Sequence, residues 1–171
     1  AFATWLILQF PGLLLWGAFI GWASFAHSGG DTSAFKKSVT CNVFGVVLAW
    51  IVAYPVASEI TGLSIPLAAA LLVAIVTPII IVASKIDLLS VVPATFYGFA
   101  SSFAFLVQTP DKFSPAALTS LSLSNVLIVV PLSLIAGALL GLIHGRIAGQ
   151  MIGKQEGATA GEAAPAAEVA K

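Results

Sequence analysis

Apolar runs separated by short polar clusters set the pattern of this chain. Residues 2–10 are apolar but reach only about 14 Å as a helix, too short to cross a bilayer core of about 30 Å. Pro11-Gly12 then breaks or kinks the chain. Residues 13–27 form a further short helix, so 2–27 reads either as one kinked helix or as a stub followed by a separate helix. Ser28-Gly29-Gly30-Asp31 is a turn cluster. Beyond it the pattern predicts helices over about 34–57, 63–84, 89–107 and 122–148. Pro55, Pro66, Pro78 and Pro131 fall within or at the ends of these runs, which membrane helices tolerate when neighbouring groups satisfy the freed carbonyls. The longest polar connection, 108–120, carries Pro110, Asp111, Lys112 and Pro115 and reads as a surface segment with helical or irregular fragments. Residues 151–171 turn to a low-complexity mixture of Gly, Ala, Thr and Glu, which has no apolar face to bury and predicts a disordered tail.

One short run is written twice. Phe19-Ile20-Gly21-Trp22-Ala23-Ser24 returns as Phe96-Tyr97-Gly98-Phe99-Ala100-Ser101, with five of the six positions keeping their chemical type. Each copy follows a proline, Pro11 or Pro93, and ends at a polar turn, and each is followed by Asn-Val, at Asn42-Val43 and Asn125-Val126. Such self-similarity points to a duplicated unit. If every apolar segment crosses, Lys36, Lys37, Lys85, Arg146 and Lys154 fall on one side and Lys112 alone on the other. By the positive-inside rule the C-terminus is then cytoplasmic. Making the two motif helices re-entrant leaves a weaker four-to-two split, so full crossings are expected. The motif helices then run in opposite directions and the repeat is inverted, a construction that many transporters use around a site near the midplane.

Composition agrees with this reading. The chain is 59% hydrophobic and 8% charged, with a mean hydropathy of +1.06, far from the roughly 25% charged content of soluble domains. The expected fold is an all-α integral membrane bundle of five to six transmembrane helices in residues 1–150. It divides into two inverted three-helix repeats, about 1–60 and 61–150, with the first helix truncated. Zero net charge gives no basic surface for nucleic acid. The single cysteine, Cys41, excludes an intramolecular disulfide and a multi-cysteine metal site. No cofactor or metal ligand set is predicted, and the partners implied are the lipid bilayer and further copies of the chain through glycine-rich helix faces.

Small residues recur every fourth position in the last helix, at Ser133, Gly137, Gly141, Gly145 and Gly149, with Gly17 and Gly21 in the first motif helix and Gly98 in the second. This spacing lets helix backbones approach closely; the other reading is a glycine-lined path. Among the few polar groups at bilayer depth, Ser24, Ser101, Asn42 and Asn125 stand at corresponding places in the two halves. An amide needs several partners, so the two asparagines read either as the lining of a polar site or as interhelical glue. Trp22 and Phe99, mid-motif, read as packing or as two facing aromatics forming a constriction. No Asp, Glu or Lys falls in the middle of an apolar segment, which argues against a carboxylate-driven pump. Nucleophile elbows, phosphate loops, paired histidines and carboxylate dyads are absent from the sequence, which argues against an enzyme.

The run from Leu15 through Phe25, closed by Gly29-Gly30, then Asn42 and Gly45 ahead of Ala49-Trp50, and Val92-Pro93-Ala94-Thr95-Phe96-Tyr97-Gly98, resembles the small bacterial inner-membrane proteins grouped as domain of unknown function 1097. The likeness covers about residues 5–148. It implies a multi-pass protein of the bacterial inner membrane, whose relatives carry a full helix upstream of the first motif, and it implies no residue roles. The expected function is a channel or facilitator for a small neutral or weakly polar solute. The alternative is a non-transporting assembly or accessory subunit whose glycine stripes bind partner helices.

Overall fold

In a computed structural model, the backbone is described for residues 2–168 and side chains for 3–150. The expectation of a disordered tail falls on 151–171, outside the residues whose side chains are described. Among the described residues the fold is all-helical and has no strand. Its helices are α1 (Phe2–Leu8), α2 (Leu15–His27), α3 (Thr32–Ala57), α4 (Ile65–Ala83), α5 (Val92–Gln108), α6 (Pro115–Leu118) and α7 (Val126–Glu168), with one 3-10 turn at Asp87–Leu89. Among the described residues, three helices are long and apolar enough to cross a membrane: α3, α4 and the Val126–Gln150 part of α7. α2 has 13 residues and α5 has 17, or about 20 Å and 25 Å of helix.

Local chemistry explains the boundaries. Between α1 and α2 the chain unwinds through Pro11, which lacks an amide hydrogen, and Gly12, whose φ of +111° lies in the left-handed region. Of the two readings of 2–27, the stub and separate helix is therefore the one observed. Asp31 caps α3 by accepting a 2.6 Å hydrogen bond from the Ala34 amide, which satisfies one of the helix's free N–H groups. The turn 28–31 folds α2 and α3 into an antiparallel hairpin.

The most extensive pairings are not between sequence neighbours: α2 lies along α7, and α3 along α5. Gly17 packs against Ser133, Gly141 against Trp22 and Phe25, and Gly145 lies near Gly30. Positions on the two helices rise together, so α2 and α7 are parallel. The Lys37–Asp87 ion pair (2.7 Å), the Cys41 contact with the Leu88 carbonyl, and the seating of Asn42 on Gly98 make α3 and α5 parallel in the same way. Because α2 and α3 are antiparallel, α2 and α5 run in opposite directions.

Lys37, Asp87 and the Gly30–Gly145 contact share one end of the bundle. The other end gathers Gly12 with Leu123, Lys112 with Ser124, and the Trp50 indole with the Leu118 carbonyl. One apolar core lies among α3, α5, α6 and α7, around Val46, Phe105, Leu118, Val130 and Leu134. A second joins α3 to α4 through Leu48, Val52, Val76 and Ile80. Most of α4 is exposed, with Ile75 and Val82 more than 60% accessible, as suits a helix facing lipid.

Candidate functional site

Four glycines bring helix backbones into direct contact. A Cβ on Gly21 would fall on the Leu134 carbonyl, and one on Gly137 would fall on the Ala18 carbonyl. In the other pair, a Cβ on Gly98 would fall on the Asn42 carbonyl and one on Gly45 on the Thr95 carbonyl. Each contact is reciprocal and has the same spacing. The carbonyl under a motif glycine lies three residues before the partner glycine, and the carbonyl under the partner glycine lies three residues before the motif glycine. By contact, therefore, α7 is to α2 what α3 is to α5, and Leu134 holds in α7 the place that Asn42 holds in α3.

The small-residue stripe of α7 is engaged only over its first half. Ser133 meets Gly17, with its Cβ 3.1 Å from where a Gly17 Cβ would stand, and a Cβ on Gly141 would come within 2.8 Å of Phe25 and 2.9 Å of Trp22. Gly145 has only the Gly30 carbonyl at 3.9 Å, and Gly149 has nothing within 4 Å. The expectation that these two pack tightly is corrected, because α2 ends at His27 and does not extend over them. Ser133 does more than make room: its hydroxyl accepts the Leu14 amide at 2.9 Å at the entrance to α2 and donates to the Val129 carbonyl at 2.7 Å.

The two asparagines have different surroundings. Asn42 sits in a ring with Ser24 and Ser38. The Ser24 hydroxyl donates to Asn42 Oδ1 (3.2 Å), Asn42 Nδ2 donates to Ser38 Oγ (3.4 Å), and the two hydroxyls are 2.8 Å apart. With Ser38 donating to Ser24, every oxygen in the ring accepts once. Ser24 and Ser38 have no accessible surface and Asn42 has 1%, so the ring is sealed from water and glues α2 to α3. Asn125 lies ahead of α7 and caps it. Its Oδ1 accepts the Leu127 amide at 2.9 Å, and its Nδ2 donates to the Leu118 and Ser120 carbonyls. The matched Asn-Val pairs thus share no polar site, since one amide bridges helices and the other closes a loop. Trp22 and Phe99 do not face each other either. Trp22 packs against His144 of α7, with ring centroids 5.2 Å apart. Phe99 packs against Phe103 at 5.1 Å and borders the core between α3 and α4. A constriction between them is excluded because the rings point to opposite flanks.

The motif copies do meet along another line. Trp16, Ile20 and Ala23 of α2 and Tyr97, Ala100, Ser101 and Ala104 of α5 line an open groove of about 340 Å³. Ser101 is 1% exposed, and its buried Oγ has no hydrogen-bond partner. The contact equivalence gives the reason: where α3 offers Ser38 and Asn42 to Ser24, α7 carries Val130 and Leu134.

Sequence reasoning missed Ser38, Gly45 and the capping role of Ser133. Ser38 and Asn42 are four apart on α3, a spacing that places them on one helix face and signals a shared environment; the lone Gly45 carries no periodic signal. Among the described residues, no group of three His, Cys, Asp or Glu side chains comes together to hold a metal. No curated protein and no solved structure matches the chain. A family model described as "Protein of unknown function (DUF1097)" matches residues 1–149.

Proposed function

The chain belongs to that family of unknown function, and on this premise we propose that it is a multi-pass protein of the bacterial inner membrane acting as a channel or facilitator for a small neutral or weakly polar solute. The observation that carries the reading is the doubled glycine-on-carbonyl contact, made once by α2 with α7 and once by α5 with α3, with α2 and α5 antiparallel. It supports two inverted repeats, α1–α3 and α4–α7, of the kind that transporters place around a site between the halves. In this reading the bundle crosses five to six times, and the short α2 and α5 cross where the bilayer thins locally to match them. The shared location of Lys37 and Asp87 with the far end of α7 supports a cytoplasmic C-terminus. Of the residues expected to form a solute site, Ser101 alone lines the seam between the motif helices; Ser24 and Asn42 instead tie α2 to α3.

Reconstitution tests this reading. Proteoliposomes are expected to accelerate the flux of at least one member of a panel of small neutral solutes without a proton or sodium gradient. Ala100→Trp, which fills the exposed groove, is expected to abolish that flux while the protein remains folded. No acceleration for any solute would refute the proposal. A second reading, an assembly or accessory subunit, is favoured by the sealed Ser24–Ser38–Asn42 centre. It predicts no flux and, in native membranes, a complex larger than any homo-oligomer.

A further inference from the structure

We propose that the α2/α5 groove binds a compact amphiphile with an apolar body and a single hydroxyl group. This deepens the reading above by naming a solute class for the same seam, and it rests on that seam being the site. The argument starts from Ser101. Three serines bond the carbonyl four residues back, Ser102 to Gly98 at 2.8 Å, Ser133 to Val129 at 2.7 Å and Ser28 to Ser24 at 2.7 Å, whereas the buried hydroxyls of Ser58 and Ser101 have no partner. Ser101, adjacent to Ser102 on the same helix, makes no such bond and finds none across the helix interface. Its motif counterpart, Ser24, is fully satisfied. A buried hydroxyl left in this state is a departure from the rule that buried polar groups are paired, and it lines a groove open to the side of the bundle.

The lining then restricts what can complete the bond. Ala23, Ala100 and Ala104 present only methyl groups, Ile20 adds an aliphatic side chain, and Trp16 and Tyr97 add large aromatic rings that carry one polar group each. A sugar, polyol or ion would strand its remaining polar groups against these side chains. A lipid acyl chain or an apolar gas would fill the space and leave Ser101 unpaired. A body of about one ring with one hydroxyl satisfies both conditions, and about 340 Å³ lies at the lower end of the ligand-pocket range of about 300–1,000 Å³.

The test uses full-length protein in nanodiscs with Trp5, Trp22 and Trp50 changed to Phe, leaving Trp16 as the reporter. The probes are 4-bromobenzyl alcohol and 4-bromotoluene, whose bromine quenches an indole that it touches. The expected result is saturable quenching by the alcohol, with affinity about fivefold higher than for the toluene, as one net hydrogen bond provides. Ser101→Ala should remove that preference and leave toluene binding unchanged, and Ser101→Thr should keep it. Equal, non-saturating quenching by both probes would mean partition into the bilayer only and would overturn the proposal. So would a preference that survives Ser101→Ala. If the tryptophan-reduced protein fails to fold, methyl NMR shifts of Ala23, Ala100 and Ala104 in otherwise native protein read the same comparison. Saturable alcohol binding without flux would refute the facilitator and keep the site; flux without such binding would do the reverse.

Discussion

Replacing Gly98 with alanine asks α5 to carry a methyl group where the backbone of α3 already stands. The new Cβ would fall on the Asn42 carbonyl oxygen, 2.8 Å from its carbon and 2.9 Å from the Asn42 Cα. Non-bonded carbons rest at about 3.5–4.0 Å, so clearing the carbonyl carbon alone moves α5 off α3 by about 0.7–1.2 Å. A gap of that size forfeits roughly a quarter to a half of each dispersion contact along the seam. Both sides of the clash are backbone, so no rotamer change relieves it, and the penalty belongs at the upper end of the overpacking range, about 3 kcal/mol. Alanine recovers about 1 kcal/mol of helix propensity, which leaves a net destabilisation of about 2 kcal/mol. Gly149→Ala provides the control. With nothing within 4 Å of its Cβ, only the propensity gain remains, and the variant is expected to be neutral or more stable by up to about 1 kcal/mol. Unfolding in mixed micelles with rising sodium dodecyl sulfate, followed by circular dichroism, measures both. If the two variants shift the midpoint in the same direction, the glycine-on-carbonyl contact does not hold α5 to α3.

Ser133→Ala removes the acceptor of the Leu14 amide, leaving that N–H unpaired at a cost of about 1–3 kcal/mol. Hydrogen exchange at Leu14 is expected to accelerate, and an unchanged rate would mean that water already serves this amide. In a Cys41→Ala background, single cysteines near Glu59 and Lys112 are expected to react with an impermeant maleimide from outside the cell, whereas one at position 33 is not. Labelling at 33 from outside would reverse the proposed orientation.

The helices were legible because their signals are local. Apolar runs between turn clusters placed α3, α4 and α5 within about three residues of their observed ends, and Pro11-Gly12 marked the break before α2. Gly21 and Gly98 were legible as packing positions because only a residue without Cβ allows such an approach, and their spacing repeats. Gly45 was not, since one glycine among valines has no period. The Asn42 and Asn125 match misled for a related reason: sequence identity records the amide, whereas its role depends on which groups come within about 3 Å of it.

What the sequence determined by itself is the class of solvent and the local backbone. A chain 59% hydrophobic and 8% charged belongs in a bilayer, where helices satisfy their own backbone groups without distant partners. The tertiary structure alone decided the pairings of α2 with α7 and α3 with α5. The packing of α2 on α3 decided that Ser24 closes a ring with Ser38 and Asn42, while the surroundings of α5 leave Ser101 without a partner. Two copies of one motif thus acquire different chemistry, because a buried hydroxyl is satisfied by whatever residues the neighbouring helix presents to it.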